Sequence, residues 1–213
     1  CYCVLALLEA LYHRANTGEG QYIEVAMTEV LATILPEAVM EYTLDGTEPE
    51  RVGNRHQEKV PHNVFRCLGD ENWVAISVEG DAQFRALAQV AGIPEWAEDP
   101  RFSATEARLS HQDELEPLIE QWTLGCQVED VVEKLQAAGG PAGPVLDSAQ
   151  VLADPHMIQR GYVQSPDHPI VGPRPMGAFS WTVDGGQPAI PRSAPLFGEH
   201  NKKVIQELLQ VPG

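Results

Sequence analysis

Residues 64–78 read Val64-Phe65-Arg66-Cys67-Leu68-Gly69-Asp70-Glu71-Asn72-Trp73-Val74-Ala75-Ile76-Ser77-Val78. Two runs rich in β-branched and aromatic residues, 64–68 and 73–78, flank a short polar segment of turn formers, Gly69-Asp70-Glu71-Asn72. This pattern predicts an antiparallel hairpin. Downstream of it the apolar period changes from two to about three and a half. A helix is expected over 81–91 from Phe84, Leu87 and Ala88, stopped by Gly92 and Pro94. Ser103 and Glu106 have the spacing of a capping box for a helix running to Trp122, with Leu115, Leu118, Ile119 and Trp122 as its core stripe. Pro117 interrupts that helix, so the part before it is expected as a separate turn. Val128, Val131, Val132 and Leu135 define another helix, closed by Gly139-Gly140. A short strand over 142–146 and a brief helix capped by Asp147 follow. The last third is rich in Pro and Gly; strands are expected over 162–164 and 178–183, an extended segment over 193–198, and a terminal helix marked by Val204, Ile205, Leu208 and Leu209.

Upstream of the hairpin, regular patterning stops between residues 44 and 63, where Gly46, Pro49, Gly53, Asn54 and Pro61 punctuate a polar segment. A loop of that length in a compact protein is functional or a linker. Before it, Val4, Leu5, Leu7, Leu8, Leu11 and Tyr12 recur at helical spacing up to His13-Arg14. A turn at Thr17-Gly18-Glu19-Gly20, a strand over 21–26 and a second helix over 27–42 are expected next. Val30, Leu31, Ile34, Ala38 and Val39 form the expected buried side of that helix, and Pro36 splits or kinks it. The order of elements reads as α/β at the front and α+β behind.

Composition narrows the function classes. A chain of 213 residues can bury one sizeable core or two small ones. A formal charge of −17 argues against a nucleic-acid partner, which needs clustered Lys and Arg. Much of the acid lies between residues 95 and 133 and reads as the solvated face of helices. No apolar run approaches bilayer length, and the amino end lacks a signal-peptide pattern, so a cytoplasmic protein away from membranes is expected. Cys1 stands inside a helical pattern without a cap, which leads to the expectation of an incomplete chain. Cys1, Cys3, Cys67 and Cys126 do not form a disulfide framework or a zinc-site spacing, so reduced thiols and no metal are expected.

No local motif announces catalysis. Gly18-Glu19-Gly20 lies before a strand and not between strand and helix, no Gly-x-Ser-x-Gly elbow is present, and the seven histidines have no i, i+4 metal partner. Arg55, His56, Lys59 and His62 make a local basic spot in an acidic chain: either a polar wall for an anionic substrate, or a solvated loop. Met27, His200 and the four tryptophans read as packing residues.

Four ordered strings add to this reading: Arg14-Ala15-Asn16-Thr17-Gly18-Glu19-Gly20-Gln21; Gly53-Asn54-Arg55-His56; Gly139-Gly140-Pro141-Ala142-Gly143-Pro144-Val145; and Ala194-Pro195-Leu196-Phe197-Gly198-Glu199-His200-Asn201. With Asp154-Pro155, in this order and at these separations, they resemble the family III CoA-transferases from Leu5 to the end of the chain. The resemblance implies a large doubly wound α/β domain, a smaller α+β domain and long linkers, in chains that interlock as a homodimer. It implies that residues 1–42 end the large domain's first lobe, 43–63 form a linker and active-site loop, 64–162 form the small domain, and 163–213 return to the large one. It also implies an enzyme that moves coenzyme A between carboxylic acids, with an acyl-CoA thioester as substrate and no permanently bound cofactor. In the family pattern an aspartate attacks the thioester to give a mixed anhydride; projected here, that residue falls upstream of Cys1, and no catalytic residue is assigned in this chain. Met27 matches a methionine lining the CoA pocket. The segment Gln57, Glu58, Lys59 and Val60 matches a loop that is glycine-rich in formyl-CoA transferase, and with Arg55 and His56 it makes up the expected substrate-contacting set. Glu58 and Lys59 depart from the small residues of that loop. Two other readings stand beside this one: an acyl-CoA α-epimerase using an upstream His and Asp, and, if the chain is complete, a non-catalytic folded remnant or interaction domain. Gly53-Asn54-Arg55-His56 leans toward transfer.

Overall fold

In a computed structural model that describes residues 1–48 and 50–209, the hairpin forms as β1 (His62–Arg66) and β2 (Trp73–Ser77), paired antiparallel with Phe65 opposite Val74. Pro49, one of the residues that break the sequence pattern, and residues 210–213 lie outside the described part. At the turn Gly69 (φ 102°) and Glu71 (φ 57°) take positive φ, glycine doing so at little steric cost. The third strand, β3 (Ala142–Val145), adds antiparallel to the other edge of β2, giving the order β1-β2-β3. Alternation sends Phe65, Val74 and Ile76 to one face, where each is almost completely buried.

That face is covered by helices. In α4 (Asp81–Val90) Phe84, Leu87 and Ala88 fall at i, i+3, i+4 and are all buried, and Asp81 places a carboxylate in the first turn, where the helix dipole favours it. A short 3₁₀ turn (Pro94–Ala97) buries Trp96. The helix expected to run to Trp122, interrupted at Pro117 with a separate turn before it, is two helices, α5 (Thr105–Ser110) and α6 (Gln112–Thr123). The break falls at His111, not at Pro117, which sits inside α6 on its exposed side; Asp113, whose carbonyl loses its donor there, is itself an exposed residue. The expected capping box is also absent, since α5 starts from Ala104 without a side-chain cap. Thr105, one residue inside, instead bonds across to Asp81. Leu115 and Ile119 of α6 and Val128, Val131 and Leu135 of α7 (Val128–Ala137) complete the core, and each fully buried aliphatic side chain contributes about 1.5–3 kcal/mol. Thr123, fully buried, donates its hydroxyl to Arg66 O at 2.7 Å and so joins the end of α6 to β1. After α7 the chain turns through Gly139 (φ 79°), and Gly140 N–H returns to Leu135 O at 2.8 Å.

Further on, α8 (Ser148–Ala153) begins with a reciprocal capping box between Asp147 and Gln150, and α9 (Pro155–Gln159) is capped by Asp154. A small second sheet pairs β4 (Val163–Gln164) with β5 (Met176–Gly177). The strand expected over 178–183 is not formed. The partner of β4 lies just before it, and Val183 makes only an isolated bridge to Gly186. The terminal helix is present as a π-type segment, Lys202–Leu208.

The chain divides into two units, Cys1–Gly53 and Asn54–Gly213. The elements from β1 onward belong to the second. The first holds α1 (Tyr2–Thr17), α2 (Met27–Thr33) and α3 (Pro36–Asp45), with Pro36 in the first turn of α3, so the expected helix is indeed split there. The segment 21–26 is not a strand, because among the described residues no second strand supplies its ladder bonds. The expected buried side of the second helix is only partly so: Val30 and Ala38 are half-buried, whereas Leu31, Ile34 and Val39 are each more than half exposed. On α1, Leu5 and Leu8 are likewise 57% and 58% exposed.

Candidate functional site

The residues at 55–60 leave the irregular segment and enter β1 as a loop whose ends are fixed by two different helices. At its entry, Arg55 donates from Nε to both oxygens of Glu116 and from its terminal nitrogen to Glu116 Oε2 and Asp113 Oδ1, the last two at 2.6 Å. The paired carboxylates, Glu116 foremost and Asp113 next, raise the Arg55 pKa further above its ordinary value. Glu116 also accepts from Asn63 Nδ2 at 3.1 Å, and Asn63 Oδ1 accepts from Asn54 Nδ2 and from the Val64 N–H. His62 Nδ1 lies against Asn54 O.

At the loop's exit, Val60 is fully buried, with its side chain in the core and its N–H donated to Val78 O at 3.0 Å. Its carbonyl accepts from Nε of Arg108 at 3.2 Å. Arg108, completely buried, also donates to Phe102 O at 2.8 Å and to Asp81 Oδ1 and Thr105 Oγ1 at 2.9 Å each, with the guanidinium carbon 4.4 Å from the centre of the Phe84 ring. Burial pulls the guanidinium pKa down against the pull of Asp81, whereas the same pair holds the Asp81 carboxyl below its ordinary value. Arg108 stays charged under all ordinary conditions, its buried charge held by four hydrogen-bond acceptors.

Between these anchors the loop is exposed at His56, Gln57 and Glu58. His56 Nδ1 accepts from the Glu58 N–H at 3.0 Å, which sets the ring's lone pair inward, and the His56 and His62 rings lie 5.4 Å apart. Lys59 Nζ pairs with Glu79 Oε1 at 2.6 Å, holding the Glu79 carboxyl below its ordinary value. The basic spot legible in the sequence is therefore largely neutralised by Asp113, Glu116 and Glu79. Two clefts of this unit, one at the loop's entry and one beside α7 and β3, are also acidic. One of about 340 Å³ is lined by Arg55, Asn63, Asp113, Glu116 and Glu120 among others. Another, of about 550 Å³, carries Glu129, Glu133 and Asp154. Neither suits a phosphate group.

The structure thus brings Arg55, His56, Gln57, Glu58, Lys59 and Val60 into one loop. Met27 opens α2 in the other unit and is 82% exposed. Sequence reasoning did not find Glu116, Asn63, Glu79, Asp81 or Arg108. Glu116 and Arg108 are ordinary members of charged helical faces until the tertiary contacts are known, and no spacing along the chain signals them. Among the described residues no three His, Cys, Asp or Glu side chains come together to hold a metal, and no helix is long and apolar enough to cross a membrane. The four cysteines are free thiols; burial, with Cys126 and Glu129 nearby, pushes the Cys67 thiol up to about 11, so it is a core residue and not a nucleophile.

The family model described as CoA-transferase family III matches residues 1–201. The chain belongs to CoA-transferase family III. Its mixed helix-and-sheet fold superposes on the crystal structure of a CAIB/BAIF family protein from Brucella suis with a TM-score of 0.85 at 30% identity, over 97% of this chain and 53% of that one. It is 31% identical to the succinyl-CoA–D-citramalate CoA-transferase of Chloroflexus aurantiacus over 98% of this chain and 52% of that protein. With the succinate–glutarate CoA-transferase of Agrobacterium fabrum it shares 31% identity over 97% of this chain and 51% of that protein. The chain spans about half the length of the curated relatives it matches. Among the described residues, the segment 54–60 before β1 joins exposed polar side chains to a loop whose ends are tied to Glu116 and Arg108.

Proposed function

We propose that this chain is part of an acyl-CoA transferase that moves coenzyme A from an acyl-CoA to a second carboxylic acid, working as a homodimer in the cytoplasm. The observation that carries the reading is the family match over residues 1–201, joined to relatives that are themselves named CoA-transferases. The exposed stretch His56–Gln57–Glu58–Lys59 is the part proposed to face the thioester, with Arg55 and Val60 as its fixed ends; Met27 is proposed separately as a contact for the CoA moiety. In the proposed chemistry an aspartate carboxylate lying before Cys1 attacks the thioester carbonyl. A C–O bond forms, the C–S bond breaks, and CoA leaves as the thiolate. The thiolate then attacks the aspartyl carbonyl of the mixed anhydride, which releases the donor acid and leaves CoA as an aspartyl thioester. The acceptor carboxylate displaces that thiolate to form a second anhydride, whose acceptor acyl carbon the thiolate attacks to give the new acyl-CoA and the free aspartate. This chain's own contribution is binding and orientation, which convert a bimolecular encounter into a preset one.

The test is transfer from succinyl-CoA to a panel of carboxylic acids by the product of the complete reading frame that contains this sequence. New acyl-CoA species appearing with stoichiometric release of succinate are expected. Incorporation of solvent deuterium at an acyl-CoA α-carbon without any transfer would replace this reading with α-epimerisation.

A further inference from the structure

Arg55 is the strongest candidate on the loop for holding an anion, yet its guanidinium is already spent on two carboxylates. The organising group is the partner. Glu116 is only 14% exposed, on α6, and uses both oxygens: Oε1 and Oε2 accept from Arg55, and Oε1 also accepts from Asn63. Asn63 in turn receives the Asn54 amide, so one carboxylate on a packed helix fixes residues on both sides of the loop: 54 and 55 before it, 63 after it. Charge-assisted, forked hydrogen bonds of this kind are the strong and geometrically selective ones. The exit of the loop is fixed independently by Arg108 at Val60 O. Nothing comparable holds His56, Gln57 or Glu58, which are exposed.

We propose that Glu116 is a positioning residue: through Arg55 and Asn63 it sets where His56 to Lys59 stand, and so the shape of the surface they offer to an acyl-CoA. This rests on the reading of the loop as the thioester-facing segment. Glu116 itself touches no substrate in this proposal. Asp113 shares Arg55 but is 88% exposed, so water replaces it readily and it is the minor partner.

The loop carries its own reporter, because Lys59 is a trypsin site between the two anchors. In the 213-residue chain under native conditions, Glu116→Gln is expected to speed cleavage after Lys59 about tenfold, the scale of one lost charge-assisted bond. Cleavage after Arg160 is expected to stay as in the native chain, and the urea unfolding midpoint to fall by no more than that same tenfold corresponds to, about 1.4 kcal/mol. The charge-swapped pair Arg55→Glu with Glu116→Arg is expected to restore much of the native resistance after Lys59 by re-forming the ion pair, though not the bond from Asn63, since arginine has no acceptor; trypsin does not use the new arginine, which precedes Pro117. Native-rate cleavage after Lys59 in Glu116→Gln, or failure of the swap to restore it, overturns the proposal. A parallel arm adds acetyl-CoA. Protection of Lys59 in the native chain supports the loop as the acyl-CoA contact, and loss of that protection in Glu116→Gln with its recovery in the swap supports positioning. If acetyl-CoA gives no protection while the proteolysis pattern holds, the functional reading of the loop fails and the mechanical role of Glu116 stands.

Discussion

Replacing Arg108 by methionine tests whether the loop's exit and the helical layer are tied together by a single buried guanidinium. Methionine is close in volume and unbranched, so contact with Phe84 is largely kept and little cavity is added. What is lost is the set of donors. Asp81 is 43% exposed, so water takes up its freed oxygen at small cost, and Thr105 at the half-buried start of α5 is similarly placed. The carbonyls of Val60 and Phe102 belong to residues with no exposed surface, and each lost donor there costs about 1–3 kcal/mol. Removing a buried charge returns part of this by ending its desolvation. The net loss is expected to be about 3 kcal/mol, which for a chain of this size lowers the melting temperature by about 6–12 °C. Urea titration followed by tryptophan fluorescence, with Trp96 as the buried reporter, measures it. Most of the loss is expected to survive in an Asp81→Asn background, since the carbonyls and not the ion pair dominate. A loss below about 1 kcal/mol, or one that vanishes in that background, refutes the reasoning.

The Asp81 carboxyl is depressed first by its bond from Arg108 and then by Thr105, so its stabilisation is complete above its unfolded value of 3.8 and disappears as pH falls through the lower folded value. Unfolding midpoints measured from pH 5 downward should therefore drop more steeply in the native chain than in Asp81→Asn; parallel curves would contradict the assignment. Gly139→Ala forces a Cβ onto φ 79° at the end of α7 and is expected to cost about 1–2 kcal/mol in the same urea assay, whereas an unchanged midpoint would show that the turn tolerates a side chain. In the first unit, Leu5→Lys with Leu8→Lys should reduce binding of a hydrophobic dye without lowering the unfolding midpoint of the second unit, because both leucines are more than half exposed; a large destabilisation would mean they are packed.

Legibility along the sequence followed the range of the interactions. The hairpin, α4, α7, the Asp147 cap and the Pro36 break were readable because period, turn chemistry and capping act within a few residues. The helix expected to run to Trp122 broke at His111 instead of Pro117 because a proline on an exposed face costs less than its reputation when water can satisfy the freed carbonyl. The segment at 21–26 alternates correctly yet needs a neighbour for its ladder, and periodicity says nothing about whether one exists. At the site, the loop was visible as a loss of pattern with Arg55, His56 and Lys59 in it. That Arg55 is bound to Glu116 and Asp113, and Lys59 to Glu79, was not, since these partners lie 20 to 61 residues away and are chosen by packing. Composition showed a basic spot; the structure shows three ion pairs.

We propose that the loop at residues 56–59 offers a surface to an acyl-CoA and that no residue of this chain attacks the thioester. Mixing the 213-residue chain with succinyl-CoA and a carboxylic acid panel, and following acyl-CoA species by mass spectrometry, tests it most directly. Saturable binding of the acyl-CoA with no new thioester formed is expected. Turnover on the order of 1 per second or more, typical of a complete enzyme, would contradict it.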